Sequence, residues 1–119
     1  MSEENLEQKV EWRNLAPMLV RQRVIIEAYT REIVEPEAMI DYLTKLADVA
    51  GMEILSGPYA YSAHELGFGG WIHWRTSGAH IYSYPRESPF GVIDHPLLTV
   101  DIYTCKPFEP NKVVNFTRD

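Results

Sequence analysis

The chain has 119 residues, 45% apolar and 24% charged, which suits one globular domain with a single core. Seventeen acids against eleven bases leave a formal charge of −6, with no basic stripe of the kind that nucleic-acid binders carry. Apolar runs are too short to span a membrane, and one cysteine excludes an internal disulfide or a cysteine-rich zinc site. The first twenty residues hold acids and no apolar leader segment, so a cytoplasmic location is expected.

Residues 1–16 are mostly charged and read as a short helix or a frayed arm, with Val10, Trp12 and Leu15 as the only anchors, and are expected to be peripheral. Residues 1–18 are taken as an arm and 19–119 as the domain. Val20 to Tyr29 reads as a strand, because Val24, Ile25 and Ile26 favour the pleat. Pro36 opens the clearest helix: Met39, Ile40, Leu43, Leu46, Ala47 and Ala50 form one apolar stripe, and Gly51 stops it. Met52 to Leu55 reads as a second strand, broken or bulged at Ser56-Gly57-Pro58. Gly69 to Tyr84 reads as a hairpin turning at Ser77-Gly78. Arg86 to Pro96 reads as a loop, Leu97 to Cys105 as a strand, and Pro110 to Asp119 as the start of a last helix. The expected fold is α+β, a two-layer sandwich with helices on one face of a mostly antiparallel sheet.

Alternation divides the strands into two faces. Ile72, Trp74, Ala79 and Ile81 share one, and Leu98, Val100, Ile102, Val24 and Ile26 extend it. His73, Arg75, His80, Tyr82 and Tyr84 share the other with Asp101, Tyr103, Cys105, Arg23, Ile25, Glu27 and Tyr29. A turn at Ser77-Gly78 sets Arg75 across from His80 and His73 across from Tyr82. The polar face reads as a solvated surface, as a dimer interface, or as a ligand site within such an interface, and the last two combine best. His73, His80, Asp101 and Cys105 form no metal-binding sequence motif, so no metal is expected. Glu27 and Asp101 are alternatives as paired carboxylates or as partners of Arg23 and Arg75.

The run Gly67-Phe68-Gly69-Gly70, the segment Trp71 to Pro85, and Val100-Asp101-Ile102-Tyr103-Thr104-Cys105 together resemble the small bacterial form of S-adenosylmethionine decarboxylase. The resemblance covers roughly residues 19–119. It implies a proenzyme that cuts itself before a serine, turning that serine into a pyruvoyl group. Ser77 is then the pyruvoyl precursor and Cys105 the acid that returns a proton to the product. His80 or Tyr82 supports cleavage, and Tyr61, Phe68, Gly69, Glu87 and Asp101 contact the substrate, with Tyr61 and Phe68 able to stack on adenine. Several positions depart from the family pattern. Thr76-Ser77-Gly78 replaces Glu-Ser-His, Tyr82 stands at the processing histidine, and Gly69 stands at a family serine. Arg86 takes the place of a ribose-binding acid, with Glu87 next to it, and an insertion carries Phe90 to His95.

The resemblance thus implies a pyruvoyl-dependent decarboxylase of S-adenosylmethionine that feeds polyamine synthesis and works as a homodimer. Two other readings keep the fold. In one, an intact chain binds S-adenosylmethionine or another amino acid for different chemistry; in the other, a non-catalytic paralogue binds a ligand or partner.

Overall fold

The computed structural model describes residue 13 and residues 15–118, so most of the expected N-terminal arm, and Asp119, lie outside the described residues. Two helices cover one face of a five-stranded antiparallel sheet. Strands β1 (Gln22–Tyr29), β2 (Ile54–Ser62), β3 (Phe68–Trp74), β4 (Ser77–Tyr84) and β7 (Leu97–Thr104) lie in the order β1-β7-β4-β3-β2. A separate two-stranded ribbon pairs β5 (Glu87–Ser88) with β6 (Gly91–Val92). Helix α1 (Pro36–Ala50) connects β1 and β2, which are the two edges of the sheet, so the connection crosses its whole width. Helix α2 (Pro110–Arg118) packs beside α1. Among the described residues no helix is long and apolar enough to cross a membrane.

Local chemistry accounts for the frame. Proline starts α1 at the one helical turn that needs no N–H, and Gly51, at φ 70°, closes it by donating to the Ala47 and Asp48 carbonyls. The stripe from Met39 to Ala50 is buried apart from half-exposed Ile40, against Ile72, Trp74, Ala79, Ile81, Val100 and Ile102. Val113 brings α2 into that core, and the Tyr42 hydroxyl meets Thr117 Oγ1 at 2.6 Å between the helices. Burial pushes the Tyr42 phenol above its ordinary pKa, against the opposing pull of that hydrogen bond.

Three expectations change. The hairpin turns at Arg75 and Thr76, not at Ser77-Gly78: Trp74 pairs with Ser77, His73 with Gly78 and Trp71 with His80. Gly78 is not among the residues at positive φ, so its freedom is not spent on turning. Its small size serves close strand approach instead, since a Cβ there would lie 2.9 Å from the Ile72 carbonyl oxygen. The shift of two residues preserves both faces, but Arg75 no longer faces His80, nor His73 Tyr82. Second, the strand expected over Met52 to Leu55 runs from Ile54 to Ser62, while the bulge expected at Ser56-Gly57-Pro58 is present as register shifts on either side of Ser56. Third, the segment from Arg86 to Pro96 contains the β5–β6 ribbon.

Candidate functional site

The sheet face opposite the helices stays open. It carries Tyr59 and Tyr61 from β2, Trp71 and His73 from β3, and His80 and Tyr82 from β4, joined by Asp101 and Tyr103 from β7 and Arg23, Ile25 and Glu27 from β1. At the turn end of this face is a cavity of about 350 Å³ lined by Arg23, His73, Ser77, Gly78, His80, Asp101 and Tyr103. Ser77 is the first residue after the turn, at the junction of that cavity with the end of β7. Its Oγ accepts a hydrogen bond from the Cys105 N–H at 3.1 Å and lies 3.3 Å from Thr76 Oγ1. Two residues separated by 28 positions are thereby adjacent, because β4 begins where antiparallel β7 ends.

Asp101 stands directly across from His80, and its carboxylate is gripped by Arg23 from the neighbouring strand. Arg23 Nε donates to Oδ1 at 2.9 Å and Nη2 to Oδ2 at 2.6 Å, a two-point contact that aims both groups. The Arg23 hydrogen bonds hold the Asp101 carboxyl below its ordinary range; partial burial opposes this, and the charges of Arg23 and His80 add to it. A depressed folded-state pKa gives stability that is complete above the unfolded value of 3.8 and fades as pH falls through the lower folded value. Asp101→Asn should remove this part of the acid limb. Melting temperatures followed below about pH 4 should then fall less steeply for the variant than for the wild type.

Further along the face, a second cavity of about 220 Å³ is lined by Tyr61, Ala63, Leu66, Phe68, Gly69, Tyr82, Tyr84 and Phe90. Gly69 is what admits the Tyr61 ring: a Cβ there would sit 2.4 Å from its hydroxyl oxygen. Burial, and then Tyr82 and Tyr84, push the Tyr61 phenol above its ordinary pKa. A third cavity, of about 510 Å³, lies between the ribbon and the sheet, lined by Glu27, Tyr84, Phe90, Val92, Leu97 and neighbours.

Ser77, His80 and Asp101 therefore share one cavity, with Cys105 hydrogen-bonded at its edge, while Tyr61, Phe68, Gly69 and Tyr82 share another. Glu87 sits exposed on the ribbon and lines none of these cavities. The Glu27–Asp101 pairing does not form, since Ile25 is the residue opposite Asp101 and Arg23 takes the carboxylate. No group of three or more metal-ligating side chains gathers among the described residues. Sequence reasoning put His73 on the right face but named it in no catalytic or binding role; only the true turn position sets it across from Gly78, beside Ser77.

A turn-exit serine that accepts a hydrogen bond from the residue following β7, and that lines a cavity of a two-layer α+β sandwich, is the arrangement the fold presents. The chain belongs to the S-adenosylmethionine decarboxylase family, whose family model matches residues 22–119. That family is one of carboxy-lyases dependent on a pyruvoyl group. No curated protein and no solved structure matched the chain.

Proposed function

We propose that the protein is a self-processing decarboxylase of S-adenosylmethionine, with Ser77 as the source of its pyruvoyl group. The contact of Ser77 Oγ with the Cys105 N–H at 3.1 Å carries the reading. The pyruvoyl group of this family is made from the chain's own serine, so the fit depends on a serine placed both at a turn and at a cavity. Ser77 meets both conditions.

When formed, the group supplies a carbonyl that engages the substrate amine and draws electrons from the carbon losing CO₂. The remaining work belongs to the chain. Arg23, fixed by Asp101, and His80 offer charge and hydrogen bonds to the polar end of the substrate at the first cavity. Cys105, half-buried at the strand end, returns a proton from Sγ to the product carbon. Tyr61, Phe68 and Tyr82 at the second cavity give aromatic surface for adenine. From Gly78 to Tyr82 is four strand residues, about 13 Å, so one extended substrate bridges the two cavities. The exposed Ile25 and Tyr59 on this face suit cover by a second copy of the chain.

The test is the intact mass of freshly purified protein under denaturing conditions. Two chains, residues 1–76 and 77–119 with a pyruvoyl group on the second, are expected. A 13.7 kDa species that persists on long incubation would overturn the reading and leave a family member that binds its ligand without the cofactor.

A further inference from the structure

Ser77 cannot be activated by its own hydrogen-bond partners. The Cys105 N–H is a donor, and the Thr76 hydroxyl is too weak a base to take a proton from another hydroxyl. The base must come from the cavity that Ser77 lines. Arg23 there is a cation, and Asp101 is committed to it through both carboxylate oxygens. His80 stands over Asp101, three residues along β4 from the serine. His73 stands across from Gly78, the residue bonded to Ser77.

The fit of His73 against Gly78 is close. A Cβ built at Gly78 would lie 3.5 Å from His73 Cδ2, an ordinary van der Waals contact, so the ring lies directly against the Ser77–Gly78 backbone. The ring is also held in place. Trp71 packs on it at a centroid distance of 4.4 Å, Tyr59 backs Trp71 at 4.7 Å, and His80 meets it edge-on at 6.4 Å. A ladder of rings running in from the edge strand thus ends in two imidazoles at the cavity, with His73 the one across from Gly78.

Building on the self-processing reading above, we propose that His73 is the proton-transfer residue for the rearrangement of Ser77. His73 accepts the Oγ proton as Oγ bonds to the Thr76 carbonyl carbon. It returns that proton to the Ser77 amide nitrogen as the Thr76–Ser77 C–N bond breaks. Amide becomes ester, the proton count is unchanged, and no co-reactant is consumed.

The experiment is a time course of intact mass for the wild type, His73→Ala and His73→Phe, with hydroxylamine added to cut any ester that forms. His73→Phe keeps a ring against Trp71, so a folded comparison remains if the alanine variant melts. Both variants should cleave about 10²–10⁴-fold more slowly than wild type, the range for one lost acid–base group. Added imidazole should restore cleavage in His73→Ala, which a packing role alone would not produce. Wild-type rates in His73→Phe, or a slowing that imidazole does not relieve, would overturn the proposal while the wild type still splits. A wild type that never splits would overturn the self-processing reading itself, and this proposal with it.

Discussion

A Ser77→Ala chain should stay a single 13.7 kDa species and release no CO₂ from carboxyl-labelled S-adenosylmethionine, both signals falling below detection. Under the proposed self-processing the loss is complete rather than graded, because the serine's own atoms would become the new chain end and no neighbour could donate them. The fold should survive. Ser77 Oγ accepts one backbone hydrogen bond, from Cys105, in a half-buried setting, and losing it costs about 1 kcal/mol. A melting curve close to wild type, together with absent cleavage, therefore separates chemistry from stability. Cleavage between residues 76 and 77 that persists in the variant would remove Ser77 from the reaction altogether.

What the sequence reveals about this site depends on which physical signal each part leaves. Helix α1 is legible because three independent signals agree: Pro36 at its start, an apolar stripe through it, and Gly51 after it. The two sheet faces are legible because side-chain alternation survives any even shift of register, and moving the turn by two residues changes each cross-strand partner by four. The register itself is hidden. A two-residue turn fits at residues 75–76 as well as at 77–78, and glycine is used equally for turning and for close approach. Gly78 does the second, and this is why His73 goes unnoticed as a neighbour of Ser77. The ribbon is hidden because two-residue strands have no period. The grip of Arg23 on Asp101 links residues 78 apart; the shared face offers that pair as one alternative, but local pattern does not show that β1 and β7 adjoin. The nearness of Ser77 and Cys105 was legible only through the family resemblance, since nothing in composition joins a turn serine to a strand-end cysteine.

Gly67→Ala should have the largest effect on stability, because two costs meet at one buried position. Gly67 ends the short 3₁₀ turn His64–Leu66 and leads into β3 with φ 105° and ψ −142°, a conformation that residues with a side chain rarely adopt. A Cβ there would also stand 2.1 Å from the Ser83 carbonyl oxygen. That oxygen cannot retreat. Ser83 is fully buried in β4, paired with Phe68 on one side and Leu98 on the other, and its hydroxyl accepts a hydrogen bond from the Val34 N–H at 2.9 Å. Relieving the clash means moving a central strand, at a cost of about 3–5 kcal/mol against a typical total of 5–15. At about 4–6 °C per kcal/mol, the melting temperature should fall by roughly 12–30 °C. Gly91→Ala is the control: its φ of 130° carries a dihedral cost, yet nothing lies within 4 Å of the added Cβ, so its fall should be far smaller. Melting followed by circular dichroism gives both values, and equal shifts would mean that the approach to Ser83 contributes nothing. The same corner places Ala63, Leu66 and Gly69 around the aromatic cavity, so Gly67→Ala protein that still folds should lose adenine-dependent substrate binding before it loses the contact of Ser77 with Cys105.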